Sequence, residues 1–255
     1  MQRETGEYVG LRRAAAAART GNKILSLIAA AMILVMLLYG GYSLWDTMML
    51  YKNAFADSEL MKYKPSNGEG ENSSLRELKQ INPDVCAWLT VEDTHIDYPV
   101  VKGETNMEYI NKDVYGKFSF SGAIFLDCQN QADFSDCYNL IYGHHMDGGA
   151  MFGDIAEFTD EDYFEEHKTG TLYLPESTHD ITFFACVEAD ASDCLIFSPD
   201  SQSRETLADF LGYIGEKAVQ YREIGITAQD SVVGLSTCAA AETNGRVILF
   251  GRLEK

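Results

Sequence analysis

Two apolar runs near the C-terminus place a thiol and a guanidinium at neighbouring ends. The run Ser231–Thr237 ends at Cys238, and the run Val247–Phe250 begins directly after Arg246. If the two runs form paired strands, Cys238 and Arg246 lie side by side. Acyl transfer through a thioester needs this pair, because a thiolate attacks the acyl carbon and a cation stabilises the oxyanion that develops.

A pair of histidines offers the proton-transfer group that a catalytic thiol requires. His144 and His145 follow the apolar run Tyr138–Tyr142 and precede the turn Asp147–Gly149. Both therefore stand on a loop at the end of a predicted strand. Catalytic groups concentrate on such loops, because a rigid sheet holds them in a fixed direction. The pattern predicts a thiol, a base and a cation in one site.

Composition and charge restrict the class of protein. The chain has 255 residues and is 46% hydrophobic, which is enough for one good-sized domain with a core. Its net charge of −19 argues against a nucleic-acid partner, because phosphate binding requires a basic surface. The charge is also uneven, since residues 1–23 carry +3 and the remainder −22.

A 22-residue segment without a charged side chain, Ile24–Trp45, predicts a membrane span. At 1.5 Å per residue a helix of this length covers about 33 Å, enough for a hydrocarbon core of about 30 Å. Tyr39, Tyr42 and Trp45 stand at its C-terminal end, where an interfacial aromatic belt lies. A buried helix conflicts with the lack of a polar face, and a cleaved signal peptide conflicts with the length and with the missing Ala-x-Ala exit.

These features predict a single-pass membrane protein in four parts. Residues 1–23 form a basic cytoplasmic tail, 24–45 a transmembrane signal-anchor helix, 46–73 a helical stalk with a flexible linker, and 74–255 an extracellular domain. The orientation follows from the basic residues before the span, which remain on the cytoplasmic side.

Six cysteines raise the question of disulfides in an exported domain. They are Cys86, Cys128, Cys137, Cys186, Cys194 and Cys238. They are sparse and mostly lie within apolar runs, and none forms a C-x-x-C pair, so we predict no metal site and no cofactor. Short loops could be closed by Cys128 with Cys137 or by Cys186 with Cys194, and the sequence leaves this open.

The segment after residue 74 is typical of a barrel or sandwich. Two helices interrupt the strands, an acidic one over Phe152–His167 and an amphipathic one over Ser203–Tyr221. Ser74–Glu77 resembles a capping box that opens a short helix, which Asn82–Pro83 ends. Eight strands are predicted: Ala87–Val91, His95–Val101, Ser121–Leu126, Tyr138–Tyr142, Gly170–Leu174, Ile181–Val187, Ser231–Leu235 and Val247–Leu253.

The order His, Cys, Arg along the chain resembles that of the sortases. Leu235–Cys238 with Arg246 resembles their Thr-Leu-x-Thr-Cys…Arg strand pair, and Tyr142–Met146 resembles the histidine loop of class B members. One departure is Cys86-Ala87, where the family tends to have Val-Gly before the Trp. The resemblance covers residues 74–255, and three further class B motifs contribute to it: Asn82–Trp88, Thr94–Val101 and Gly122–Asp127.

The resemblance implies a mostly β fold, an eight-stranded closed barrel with N-terminal helices and a helix between strands six and seven. It implies that Cys238 attacks the Thr carbonyl of a C-terminal sorting motif on a secreted protein, with His144 as proton shuttle and Arg246 as oxyanion or substrate-backbone donor. Ser236 and Thr237 would shape the nucleophile loop and bind substrate.

The acceptor would then be an amine of a peptidoglycan precursor or of another surface protein. The alternative is a non-catalytic, membrane-anchored wall-binding ectodomain in which Cys238 is buried or disulfide-bonded.

Overall fold

The structure is a computed structural model that describes residues 2–51, 54–56, 58–66, 71–238 and 244–254. The side chains of residues 2–10 and of Cys238 lie outside this description, as does part of the predicted linker, residues 67–70. The chain divides into two compact units, one that ends at Met49 and one that begins at Leu50. The first lies within helix α1, Gln2–Tyr51, which is long and apolar enough to cross a membrane.

The second unit is a closed barrel of eight strands with one further short strand beside it. Neighbouring barrel strands follow the order β5-β1-β2-β3-β4-β8-β9-β6, and β5 pairs with β6 to close the ring. The pairs β2–β3 and β4–β8 are parallel, and the other pairs are antiparallel. The predicted eight-stranded barrel is confirmed. The strands are β1 Val85–Val91, β2 Asp97–Val101, β3 Ile124–Leu126, β4 Tyr138–His144, β5 Thr169–Tyr173, β6 Thr178–Asp190, β7 Ala218–Tyr221, β8 Ser231–Cys238 and β9 Gly245–Leu253.

The central strands β4, β8 and β9 are buried on both faces. Ile141, Leu235 and Leu249 belong to the core inside the barrel, whereas their neighbours Leu140 and Phe250 pack outside it against helix α5, Leu207–Lys217. A strand covered on both faces has apolar residues at successive positions rather than at alternate ones. This explains why these strands read as continuous apolar runs in the sequence.

Helix α3, Ser73–Ile81, follows the short helix α2, Ser58–Met61, and confirms the predicted helix that ends at Asn82. The predicted capping box is wrong, because the N-cap residue is Asn72 and its side chain caps no helix N–H. Its amide instead donates to the Leu174 carbonyl at 2.6 Å and so joins the helix to the end of β5.

Both longer predicted helices are shorter in the structure. The region Phe152–His167 contains a 3₁₀ segment, Gly153–Thr159, and then α4, Glu161–Glu166, since Asp160 has extended backbone between them. The helix predicted over Ser203–Tyr221 ends at Lys217, because the next four residues form β7 and pair with β6. Its expected place between the sixth and seventh barrel strands, β6 and β8, is confirmed.

Gly143, one residue before the end of β4, fits into a space that has no room for a side chain. A Cβ atom there would lie 2.5 Å from Ile124 Cδ1 and 2.6 Å from Phe152 Cγ. Both neighbours belong to the core, so neither can move without repacking. The close packing fixes the backbone that leads into His144.

We expect Gly143→Ala to lower the free energy of unfolding by about 1–3 kcal/mol, the usual cost of forcing extra volume into a packed core. The matched control is Gly212→Ala in α5, where nothing lies within 4 Å of the new methyl group. That change should stabilise the protein by about 0.5–1 kcal/mol, because alanine loses less entropy than glycine in a helix. Urea unfolding of the two variants decides this, and a Gly143→Ala protein as stable as the wild type would contradict it.

Candidate active site

The register between β4 and β8 sets His144 beside Cys238. The two strands run parallel and pair from Tyr138 with Val232 through to His144 with Cys238. Both strands end at this last pair, so the two predicted catalytic residues stand together at one end of the barrel. The side chain of Cys238 lies outside the described residues, and its backbone position is what the register gives.

The pairing of β8 with β9 adds Arg246 on the other side. These strands are antiparallel and pair as far as Ser236 with Ile248. The same register continued by two residues brings position 246 opposite position 238. Thr237 ties the strands together at this end, because its Oγ1 accepts a hydrogen bond from the Val247 N–H at 3.2 Å.

Positions 144, 238 and 246 therefore lie at one level on three adjacent strands. Paired residues on neighbouring strands share a face of the sheet, and the face alternates along each strand. Ile141 and Leu235 face the barrel interior, so the three predicted catalytic positions belong to the outer face.

His144 is half-buried and makes one specific contact with the main chain. Its Nε2 lies 2.9 Å from the carbonyl oxygen of Ile110, in the segment between β2 and β3. A carbonyl oxygen can only accept, so Nε2 is the donor. His145, by contrast, is exposed, and its backbone bridges to Met151. Sequence reasoning missed Ile110, since every residue type carries a carbonyl and no side-chain pattern marks it.

Arg246 is half-exposed, and its guanidinium makes no ion pair or hydrogen bond within the described part of the chain. It faces an open cavity of about 560 Å³, which Glu188, Asp190 and Asp193 also line. The pKa of Asp190 is lowered chiefly by hydrogen bonds from Ser192, and the positive charge of Arg246 adds to that effect. The guanidinium thus lies near three carboxylates in a cavity that Lys217 also lines.

Ser236 and Thr237 are buried, and their hydroxyl groups bond to the main chain. Ser236 Oγ donates to the Thr237 carbonyl at 3.3 Å, and Thr237 Oγ1 bonds to Val247 in β9. These contacts brace the end of the strand that carries Cys238. The substrate contact expected of both residues stays a prediction.

The other five cysteines are free thiols among the described side chains, which excludes both short disulfides that the sequence left open. Burial raises the pKa of Cys86 and of Cys186 to about 12, and it also raises the pKa of Cys137. A thiol with a pKa of about 12 carries almost no thiolate near neutral pH and is a poor nucleophile. Burial therefore disqualifies Cys86 and Cys186 as nucleophiles.

Comparisons with known proteins point to one family, although no family model matches the chain. Sortase B of Listeria monocytogenes is 28% identical over 243 residues, which cover 91% of this chain and 98% of that protein. The structure resembles that of a class B sortase of Streptococcus pyogenes involved in pilus biogenesis, with 46% identity and a TM-score of 0.64 over 70% of this chain and 97% of the other. It also resembles a Staphylococcus aureus sortase B–substrate complex, with 26% identity and a TM-score of 0.67 over 72% and 85% of the two chains.

The buried thiols allow a direct chemical test. At pH 8 a thiol with a pKa of about 12 is ionised in only about one molecule in 10⁴. We expect iodoacetamide to leave Cys86 and Cys186 unlabelled in the folded protein and to label both in urea, as read by peptide mass spectrometry. Rapid labelling of either residue in the folded protein would contradict the burial that the structure gives them.

Proposed function

This chain belongs to the class B sortases, and on that basis we propose that Cys238, His144 and Arg246 are its catalytic residues. The protein is a cysteine transpeptidase that acts on proteins carrying a sorting motif. The observation that supports the residue assignment is the β4–β8 register, which pairs His144 with Cys238. The alternative of a non-catalytic wall-binding ectodomain is not favoured.

In the acylation step the Cys238 thiolate attacks the carbonyl carbon of the Thr in the sorting motif. The carbon–sulfur bond forms, and the tetrahedral oxyanion accepts hydrogen bonds from Arg246. The peptide carbon–nitrogen bond then breaks, and protonated His144 gives a proton to the leaving amine. The product is a thioacyl-enzyme.

In the transfer step an incoming amine attacks the thioester carbon. Neutral His144 takes a proton from the attacking nitrogen, and the Cys238 thiolate leaves as the new amide bond forms. The enzyme returns to its starting protonation state. His144 thus acts first as an acid and then as a base, which requires one ring nitrogen to remain free for both proton transfers.

The acceptor, in our proposal, is an amine of another surface protein rather than of a peptidoglycan precursor. The support is the identity of 46% with the S. pyogenes class B sortase involved in pilus biogenesis, against 24% and 28% with the two sortase B relatives. Assembly of a fibre from protein subunits requires an amine on the next subunit. We therefore assign this enzyme to joining surface proteins to one another.

The membrane arrangement is also part of the proposal. Residues 1–23 lie in the cytoplasm, and residues 24–45 cross the membrane. Residues 46–73 connect the span to residues 74–255, which form the extracellular catalytic domain. Helix α1 has the length and composition for the span, and the basic tail supports the orientation. Within the connecting part, Ala54 is buried and its carbonyl accepts a hydrogen bond from Tyr98 at 2.9 Å, so part of this connection is fixed to the barrel.

The two histidines give a matched pair of variants. We expect His144→Ala to lower kcat/KM for sorting-peptide cleavage by a factor of at least about 100, the low end for a lost acid–base group. His145→Ala should have a milder effect, because His145 is exposed and lies beyond the β4–β8 pair. The reverse order of effects would transfer the catalytic role to His145.

Arg246→Lys should be far from conservative. A planar guanidinium can bond the oxyanion and a substrate carbonyl together, whereas an ammonium on a flexible stem cannot hold both. The expected loss in kcat/KM is on the order of 10²-fold, similar to the loss of one oxyanion donor.

The control for this change is Arg252→Lys. Arg252 lies six residues along the same strand, about 20 Å away at about 3.3 Å per residue. Its guanidinium pairs with Glu254 at 2.6 Å, so it has a separate structural role. Near-normal kcat/KM for Arg246→Lys would show that charge alone suffices and that the two-contact model is wrong.

A competition assay tests the acceptor. The full chain in detergent is given a sorting peptide from the host's secreted proteins together with equal amounts of Nα-acetyl-lysine amide and triglycine. We expect the lysine adduct to dominate the transpeptidation products in mass spectra, because the acceptor site is proposed to receive a protein side chain. Dominance of the triglycine adduct would contradict the proposal and favour a peptidoglycan acceptor.

A further inference from the structure

The carbonyl that faces His144 belongs to a firmly anchored piece of chain. On one side of Ile110, the carbonyl of Tyr109 accepts from the Ala123 N–H at 3.1 Å. On the other side, the carbonyl of Asn111 accepts from the Ser119 N–H at 3.0 Å. The carbonyls of both neighbouring residues are therefore occupied, and the Ile110 carbonyl is left to accept from His144.

The side chain of Tyr109 anchors the same piece to the N-terminal end of the barrel. Tyr109 is buried, and its hydroxyl donates to Asp84 Oδ2 at 2.7 Å and accepts from Asn82 Nδ2 at 2.9 Å. These two partners lie just before β1, so the anchor does not depend on β4. The position of the Ile110 carbonyl is thus set independently of the histidine that uses it.

A second group of contacts ties the segment to the strand that carries His144. Asp127 is buried at the end of β3, and its Oδ2 accepts from Asn106 Nδ2 at 2.8 Å and from the Tyr142 hydroxyl at 2.9 Å. Tyr142 precedes His144 by two residues in β4 and therefore lies on the same face. The segment that contains Ile110 and the strand that carries His144 are consequently fixed relative to each other.

Gly122 lies so close to the Ile110 carbonyl that a side chain at position 122 would collide with it. Its φ of +63° is in the left-handed region, and a Cβ there would lie 2.4 Å from the Ile110 oxygen and 2.9 Å from the Tyr109 oxygen. Real Cβ atoms do not approach backbone this closely, so any side chain at position 122 displaces the Ile110 carbonyl. Glycine here serves a contact of the catalytic histidine as well as a turn.

We propose that Gly122 and the Ile110 carbonyl are positioning groups that hold the proton of neutral His144 on Nε2 and leave Nδ1 as the atom that exchanges protons in catalysis. The proposal rests on the catalytic role assigned to His144 above. The 2.9 Å contact occupies Nε2 with an acceptor that cannot give a proton back. Nδ1 is the remaining ring nitrogen with a lone pair.

The protons balance across both steps. In the imidazolium form both ring nitrogens carry a proton, and the Nδ1 proton passes to the leaving amine while Nε2–H stays on Ile110. In the neutral form the Nδ1 lone pair takes the proton of the attacking amine. The Nε2–H bond never breaks, so the carbonyl selects the tautomer without entering the reaction.

The first test reads the tautomer directly. The full chain is labelled with ¹⁵N at histidine, placed in lipid nanodiscs and followed by long-range ¹H–¹⁵N correlation spectra over a pH series. A His144→Asn spectrum identifies the His144 signals. We expect neutral His144 to show a protonated-type shift at Nε2 and an unprotonated-type shift at Nδ1. A proton on Nδ1 in the wild-type protein would overturn the proposal.

The second test compares two glycine variants with similar backbone strain. Gly122→Ala places a methyl group against the Ile110 carbonyl, whereas Gly116 has a φ of +75° and nothing within 4 Å of an added Cβ. We expect Gly122→Ala to lower kcat on the order of 10- to 100-fold with little change in KM and to mix the His144 tautomers. Gly116→Ala should keep wild-type kcat and the Nε2–H tautomer.

The outcomes separate this inference from the proposed function. Wild-type kcat and an unchanged tautomer in folded Gly122→Ala would overturn the positioning role, while the roles of Cys238 and His144 would stand. Full activity of His144→Ala would instead overturn the catalytic role, even with the proton on Nε2. If Gly122→Ala does not fold, the wild-type spectrum alone decides the assignment of the reacting nitrogen.

Discussion

The parallel pairing of β4 with β8 is the constraint on which the proposed catalytic site depends. The chain between these strands passes through β5, β6, α5 and β7 before it returns beside β4. Both strands are buried on both faces, and a shift of one residue would exchange their inner and outer side chains. The core therefore fixes the register, and the register sets His144 beside Cys238. The antiparallel strand β9 then brings Arg246 to the same level.

Burial and main-chain contacts around this sheet set the protonation and the orientation of individual side chains. Burial keeps Cys86 and Cys186 protonated, so thiols can serve as small core residues in an enzyme that works through a thiolate. The hydroxyl of Thr237 braces β8 against β9, and the carbonyl of Ile110 occupies one nitrogen of His144. Arg246 supplies positive charge on a chain whose net charge is −19.

The eight barrel strands could be predicted from the sequence, because buried strands have continuous apolar runs. The pairing of Cys238 with Arg246 could also be predicted, because each residue stands at the end of such a run. The helix predicted over Ser203–Tyr221 is too long, since an amphipathic pattern cannot reveal that Ala218–Tyr221 pairs with β6. The region Phe152–His167 was predicted as one helix, because Asp160, whose backbone is extended, does not interrupt the amphipathic pattern. Contacts made by backbone atoms, such as that of the Ile110 carbonyl with His144, do not depend on residue type. They could therefore be identified only from the structure.

In the proposed mechanism Cys238, at the paired end of β4 and β8, is the residue that carries the acyl group. The most direct measurement is to incubate the full chain in detergent with a sorting peptide, quench in acid and locate the added mass by peptide mass spectrometry. We expect a thioester on the peptide that contains Cys238 and none in a Cys238→Ala variant. An acyl group on Cys128 or Cys194, or one that persists after Cys238→Ala, would contradict it.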